Sequence, residues 1–313
     1  MAASAGTAPD RDHADLTVAV IHYETPQLLD RCLDSLTSAA PAARLLVIDT
    51  SDRHPLPDEW AATHPAVELV RERNHSYSAA VNAALRRCRT SRFCQLNADV
   101  IVERWTFDEL ERAMQASGAA IAGPLARDGE GRIQRNGLPY RWHQWRARRS
   151  GSWHYAPWLS GCLHYVRMES VERVGGMDTS LRFYNEDLEW CLRLRAAGEK
   201  CALVNTWITH LGGSSTPSSA EPIVEGMRGG YLVTRRYHGP LLRTLHRWGV
   251  FASTSVLARV ARTAPEREAY RRVAAMMLRN DVEESPFGES LGSANPTFGA
   301  TPATLRREAR ADR

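Results

Sequence analysis

The feature that constrains this chain most is a repeated alternation of short apolar runs with stretches of helical spacing. Leu-Thr-Val-Ala-Val-Ile at residues 16–21 is a continuous run, the pattern of a strand buried on both faces. Pro26 then opens a helix, where its missing N–H costs little. Leu28, Leu29, Cys32, Leu33 and Leu36 recur along that helix at 3.6-residue spacing. The same reading gives strands over 45–48, 67–70, 93–96 and 119–122, with helices over 78–87 and 106–116 between them. It resumes with a strand over 163–167, helices over 169–174 and 187–197, and a strand over 200–204. Strands alternating with helices predict an α/β sandwich around a mostly parallel sheet.

In such sheets ligands sit at the carboxyl ends of the strands. His22, Tyr23 and Glu24 follow the first strand; Asp49, Ser51 and Asp52 follow the second; Asn97 and Asp99 follow the fourth. One such residue is an ordinary turn or cap. Acidic residues at three of the first four strand ends point to a site. A carboxylate such as Asp99, held at a strand end, suits a hard divalent cation shared with phosphate oxygens.

Two further clusters carry chemistry. Phe183-Tyr184-Asn185-Glu186-Asp187-Leu188-Glu189-Trp190 puts three carboxylates in four positions at a helix start, between aromatics. Helix capping explains one or two of them, and the aromatic flanks would limit solvent and tune a base. His210 closes a strand and precedes Gly212, Gly213, Ser214, Ser215 and Thr216, which suits approach to an anion.

Composition narrows the class. Of 313 residues, 43% are hydrophobic and 24% charged, which excludes a disordered chain or a small disulfide scaffold. No apolar run is long enough to span a bilayer, and Met1 to Asp15 lacks the apolar core of a secretory signal. Six scattered cysteines without a C-x-x-C read as reduced thiols of a cytoplasmic protein. Lys200 is the only lysine and follows Glu199, so there is no P-loop, and no G-x-G-x-x-G occurs.

Six pieces in order resemble the family 2 glycosyltransferases of GT-A fold, and within them the bacterial rhamnosyltransferase-like branch. They are VAVIHYETPQLLDRCLDSL, LLVIDTSD, NHSYSAAVNAAL, LNADVIV, LSGCLHYVRMESVERVGGMDTSLRFYNEDLEWCLRLRAAG and HLGGSST. The resemblance runs from about Leu16 to about His238. It implies an inverting transfer of a sugar from a UDP- or dTDP-sugar donor, dTDP-rhamnose being the branch's example. The acceptor would be a hydroxyl on a glycan, a lipid-linked glycan or a small molecule. It further implies that Asp49 contacts the base, with Tyr23, Glu24 and Ser51 beside base and ribose, and that Asn82 and Asn97 help hold the nucleotide. Asp99 and His210 would bind Mg²⁺ or Mn²⁺, Asp187 would be the general base with Glu186 its companion, and Trp158 and Trp190 would face the acceptor. The sequence departs from the family pattern at Asn97, where an Asp is usual, and at Ser76, where Gly is usual.

The expected organisation is a flexible N-terminus over 1–15, a GT-A domain over 16–225, a basic helical extension over 226–280 and a flexible tail over 281–313. Residues 124–158 read as a long excursion over the sheet, rich in Trp and Arg, that is either an acceptor lid or a structural loop. From Arg228 to Arg279 there are eleven Arg and two Glu, interleaved with apolar residues. That segment is either a helical cap on the core or a peripheral contact with the cytoplasmic face of a membrane. No DNA- or RNA-binding module accompanies the charge, so nucleic acid is not the expected partner. Two other function classes fit the fold: a sugar-nucleotidyltransferase, whose Gly-rich N-terminal loop His22-Tyr23-Glu24-Thr25-Pro26 does not resemble, and a non-catalytic nucleotide-sugar or carbohydrate-binding protein.

Overall fold

The structure, a computed structural model, describes residues 13–134, 138–212 and 219–288. The N-terminal half alternates as the apolar runs predict: β1 (Leu16–His22), α1 (Pro26–Ala39), β2 (Arg44–Asp49), α2 (Asp58–Thr63), β3 (Val67–Arg71), α3 (Tyr77–Leu85), β4 (Arg92–Asn97). Then come β5 (Val100–Val102), α4 (Thr106–Ser117), β6 (Ile121–Arg127), α5 (Leu138–Ser150), β7 (Trp153–Tyr155), β8 (Leu163–Arg167), α6 (Met168–Val174), α7 (Glu186–Ala196) and β9 (Cys201–His210). Three helices follow: α8 (Glu221–Tyr237), α9 (Pro240–Val260) and α10 (Ala264–Arg279).

The strands form one sheet in the order β3-β2-β1-β4-β8-β6-β9-β5, with β7 paired to β9. β3, β2, β1 and β4 are all parallel, and β8 enters antiparallel between β4 and β6. All seven residues of β1 are buried, because helices cover both faces. Val18 and Val20 pack on one side with Leu29, Leu36, Phe107 and Leu110; Ala19 and Ile21 pack on the other with Val81, Leu85, Trp190 and Leu194. Strand order reverses at β1, whose neighbours β2 and β4 lead the chain outward in opposite directions. That reversal opens a crevice at the carboxyl ends of β1 and β4, beside Tyr23 and Asp99.

The excursion over 124–158 contains a helix, α5, rather than loop alone. Tyr140, Gln144 and Ala147 face inward, while Trp142 and Trp145 are about half exposed, each under an arginine, Arg146 and Arg149. The basic extension divides as well. Tyr231, Leu232 and Val233 of α8 and Ala269, Val273 and Met277 of α10 build a third apolar cluster with Leu181. The buried Glu225–Arg228 pair fastens α8 to the loop before α7: Glu225 accepts the Arg182 N–H, and Arg228 donates to the Ser180 carbonyl. α9 is different, with Thr254 its only fully buried residue. The expected tail from 289 on, the N-terminal residues 1–12, and Gly213 to Thr216 lie outside the described residues.

Candidate active site

Three groups of residues lie where β1, β4 and β9 end and α7 begins. The first is built from the turns after β1 and β2. Glu24 sits in the left-handed region at φ 55°. Its N–H donates to Ser51 Oγ, and its Oε1 accepts the N–H groups of Asp52 and Arg53, while Oε2 is buried with no partner. Asp49 is 2% exposed. One oxygen accepts from His22 Nδ1 and the Ser51 N–H, and the other accepts the Leu56 N–H. Burial alone would raise the Asp49 carboxyl; these hydrogen bonds outweigh it and hold it at about 2. Asp49 therefore shapes the turn from inside, leaving Tyr23, Glu24 and Ser51 as the half-buried groups at the opening.

Asn82 is likewise inward. It is 1% exposed, its Nδ2 donates to the Met177 carbonyl and its Oδ1 accepts the Met177 N–H, so both ends of the amide tie α3 to the loop after α6. The side chain is buried between these elements and does not reach the opening.

The second group lies between β4 and the end of β9. Asp99 Oδ1 is 3.3 Å from His210 Nε2, and Asp99 Oδ2 accepts the Gly212 N–H at 3.0 Å. Burial pushes Asp99 up, but hydrogen bonding and charge from His210 in its protonated form, with the Gly212 N–H, bring it below the ordinary carboxylate value. Asn97 Nδ2 is 3.4 Å from His210 Nε2, and Asn97 Oδ1 is buried without a partner. A carboxylate and an imidazole nitrogen 3.3 Å apart, beside an amide whose oxygen is buried without a partner, fit a divalent cation. Among the described residues no three His, Cys, Asp or Glu side chains converge on a metal. The chain therefore offers two such ligands and leaves the other positions to phosphate oxygens and water, as Mg²⁺ commonly requires.

The third group is the start of α7. Asp187 Oδ2 accepts the Gly161 N–H at 2.9 Å and Oδ1 accepts the Leu188 N–H at 2.7 Å. The Trp158 indole N–H is buried with no closed hydrogen bond, yet it is near enough to favour the ionised Asp187. Burial raises both carboxyls of the pair. For Asp187 the N–H donors work against that rise; for Glu186 the neighbouring Asp187 charge adds to it, and Glu186 Oε2 is buried without a partner. The N–H donors thus favour the ionised form of Asp187, while the neighbouring charge disfavours that of Glu186. The Gly161–Cys162 stretch links the second and third groups, the Asn97 N–H donating to the Cys162 carbonyl and the Gly161 N–H to Asp187; burial raises Cys162 and Tyr77, and the charges of Asp99 and Asp187 add to it.

Trp190 does not join the site. It is fully buried, and its indole N–H donates to the Gly175 carbonyl, so it is a core residue under α7. The expectation that it faces an acceptor is corrected on that ground. Trp158, half-buried and packed on Tyr140 at 4.6 Å, stays beside Asp187. Sequence reasoning missed Gly161. A Cβ there would lie 3.0 Å from Asp187 Cβ and 3.2 Å from its Oδ2, so any side chain would press on Asp187 and glycine lets the backbone approach without displacing it. A lone glycine just before an apolar strand was the available signal.

A strand-end crevice with a carboxylate–imidazole pair on one side and a buried acid pair on the other can be set beside known proteins. The model for glycosyl transferase family 2 matches residues 17–175, about half of the chain. The chain belongs to glycosyl transferase family 2. No curated protein sequence matches it. Solved structures share the GT-A fold at low identity. GalNAc-T7 with UDP, GalNAc and Mn²⁺ aligns at TM-score 0.59 and 15% identity over 85% of this chain. This chain spans only 56% of that one. The Pyrobaculum calidifontis mannosyltransferase PcManGT with GDP-Man and Mn²⁺ aligns at TM-score 0.55 and 16% identity over 86% of this chain and 85% of its own. S. aureus TarS with UDP-GlcNAc aligns at TM-score 0.57 and 12% identity over 84% and 80%.

Proposed function

We propose that this family 2 member is an inverting, metal-dependent glycosyltransferase that moves a sugar from a nucleoside-diphosphate donor to an acceptor hydroxyl. The observation that carries the reading is that the Gly161–Cys162 stretch touches both pairs: the Gly161 N–H donates to Asp187 Oδ2, and the Cys162 carbonyl accepts the N–H of Asn97, two residues before the Asp99 that pairs with His210. Two structurally similar transferases were solved with Mn²⁺ and nucleotides, which supports a divalent cation here.

Tyr23, Glu24 and Ser51 would line the nucleoside. Asp99, His210 and Asn97 would hold Mg²⁺ or Mn²⁺, which supplies Lewis acidity to the leaving diphosphate. Asp187 takes the acceptor hydroxyl proton. Each of its oxygens already accepts one N–H, and a carboxylate oxygen has a second lone pair for the proton. The acceptor oxygen then attacks the anomeric carbon as the bond to the diphosphate breaks, inverting that carbon in one displacement. Glu186, retaining its proton, keeps the pair near a single negative charge. Trp158 stands where an acceptor sugar would pack.

The donor class we favour is a UDP- or dTDP-sugar, a deoxysugar such as dTDP-rhamnose included. The acceptor is a glycan, a lipid-linked glycan or a small molecule, met in the cytoplasm. α9 supports a peripheral contact with an anionic membrane face. Leu241, Leu245, Trp248 and Val256 form an exposed stripe along it, the helix carries no acidic residue, and Arg243, Arg247 and Arg259 make no ion pair among the described residues. No helix among the described residues is long and apolar enough to cross a membrane.

A panel of nucleotide sugars incubated with Mn²⁺ tests the function. Release of free nucleoside diphosphate is the expected outcome. Pyrophosphate exchange would identify a nucleotidyltransferase instead, and binding without turnover of any donor, even with water as acceptor, would identify a non-catalytic protein.

A further inference from the structure

Gln134 leaves β6 on a short stretch that no motif marks, and it grips His210 at two points. Its Oε1 lies 2.8 Å from His210 Nδ1, and its Nε2 donates to the main-chain carbonyl of the same residue at 2.6 Å. The second contact settles the first. A carbonyl can only accept, so the amide must present its NH₂ there and its oxygen to the ring. An amide oxygen can only accept as well, so Nδ1 must carry a hydrogen. In the neutral ring the lone pair then sits on Nε2, the nitrogen 3.3 Å from Asp99 Oδ1 and 3.4 Å from Asn97 Nδ2.

Gln134 is itself fixed from both sides. Its N–H donates to the Ala126 carbonyl of β6, and its own carbonyl accepts from Gln144 Nε2 on the inward face of α5. Gln144 is 5% exposed. Asp99 is anchored separately by the Gly212 N–H, next to the same amide. Gln134 and the Gly212 N–H thus hold the two side chains through atoms other than His210 Nε2 and Asp99 Oδ1.

We propose that Gln134 is a positioning residue that holds His210 as its Nδ1–H tautomer and so presents Nε2, beside Asp99, as a divalent-cation ligand. The inference rests on the metal reading above. It also gives the Trp- and Arg-rich excursion a role neither expectation assigned: through Gln144 and Gln134, α5 braces the metal-binding imidazole. Hydrogen-bond partners behind a ligating histidine commonly set its tautomer, and their loss costs roughly 10–100-fold in metal affinity.

The test uses the full-length protein and has two readouts, neither of them turnover. Nitrogen-15 NMR of the histidine rings in metal-free protein reports which nitrogen of His210 carries hydrogen, and electron paramagnetic resonance reports affinity for Mn²⁺ alone. Wild type should show His210 protonated on Nδ1. Gln134→Met, similar in volume but unable to accept, should lose that preference and bind Mn²⁺ roughly 10–100-fold more weakly. Gln134→Glu keeps an acceptor for Nδ1–H and should retain most of the affinity. Wild-type His210 with its neutral-ring hydrogen on Nε2 would overturn the inference, as would equal loss in both variants, which would mean packing alone. That NMR result decides the matter even if Gln134→Met does not fold. Loss of Mn²⁺ in Asp99→Asn and His210→Ala with unchanged binding in Gln134→Met would remove Gln134 alone. Unchanged binding in Asp99→Asn and His210→Ala would remove the metal site itself.

Discussion

Replacing Gly161 by alanine tests how tightly the backbone holds the proposed base. The new Cβ would sit 3.0 Å from Asp187 Cβ and 3.2 Å from Oδ2, both inside ordinary contact. The Gly161 peptide cannot yield easily, because its carbonyl accepts from Gln95 Nε2 at 3.0 Å and from the Tyr77 hydroxyl at 3.3 Å. The displacement therefore falls on Asp187, and the 2.9 Å bond from the Gly161 N–H to Oδ2 lengthens or breaks. Overpacking of this kind costs about 1–3 kcal/mol of stability. A misplaced catalytic group costs on the order of 10²-fold in rate. Urea unfolding and the turnover number for donor hydrolysis measure the two effects separately. Mn²⁺-dependent nucleotide binding should persist, since Asp99 and His210 lie on other elements. Stability and turnover both near wild type would refute the reasoning, because Asp187 would then not depend on that backbone approach.

Three further outcomes follow from the same structure. His164 is fully buried with Nδ1 unpartnered, and burial lowers it to about 4. The unfolded chain takes up this proton near pH 6.5 and the folded chain only near 4, so stability is full above 6.5 and falls between those values, by up to about 3 kcal/mol; urea titrations across that range should be flatter for His164→Gln. Nucleoside diphosphate affinity measured by calorimetry should fall with EDTA, and Asp99→Asn should bind with and without Mn²⁺ alike; equal affinity for wild type in both conditions would remove the cation from the account. Wild type should float with anionic vesicles at low salt and sink as salt screens the attraction beyond about 10 Å at 0.1 M, while Leu245→Glu should float poorly; wild type that stays at the bottom with every vesicle would refute the α9 contact.

The regular elements were legible because their apolar periodicity is strong: β1 and α1 begin at Leu16 and Pro26, where the sequence places them. β9 runs on to His210, well past the short strand expected, because its ladder with β6 shifts register after Pro124 and absorbs the polar Asn205 and Thr206 in an irregularity. α5 was hidden because its inward positions are Tyr140, Gln144 and Ala147, which make no apolar stripe. At the site, residue type identified chemistry but not direction. Asp49 and Asn82 are as polar as Glu24 and Asp99, yet the first two spend their hydrogen bonds on neighbouring backbone, and only three-dimensional contacts separate the cases. Trp190 and Trp158 flank the same acid pair in space or in sequence, but one faces the core. Gly161 and Gln134 act through main-chain approach and a shared amide, and neither leaves a motif.

Asp187→Asn bears on the central claim most directly. Asn keeps the shape, but its NH₂ must face either the Gly161 or the Leu188 N–H, so a stability loss of about 1–3 kcal/mol is expected alongside the chemical effect. The decisive quantity is the rate of nucleoside diphosphate release from the donor that wild type uses, at saturating Mn²⁺ and at a temperature where both proteins are folded. Loss of the base should lower that rate by about 10²–10⁴-fold while Mn²⁺-dependent nucleotide binding remains. Wild-type release from a folded Asp187→Asn protein would show that Asp187 is not the base, and with it the assignment of the α7 acid pair to proton transfer would fall.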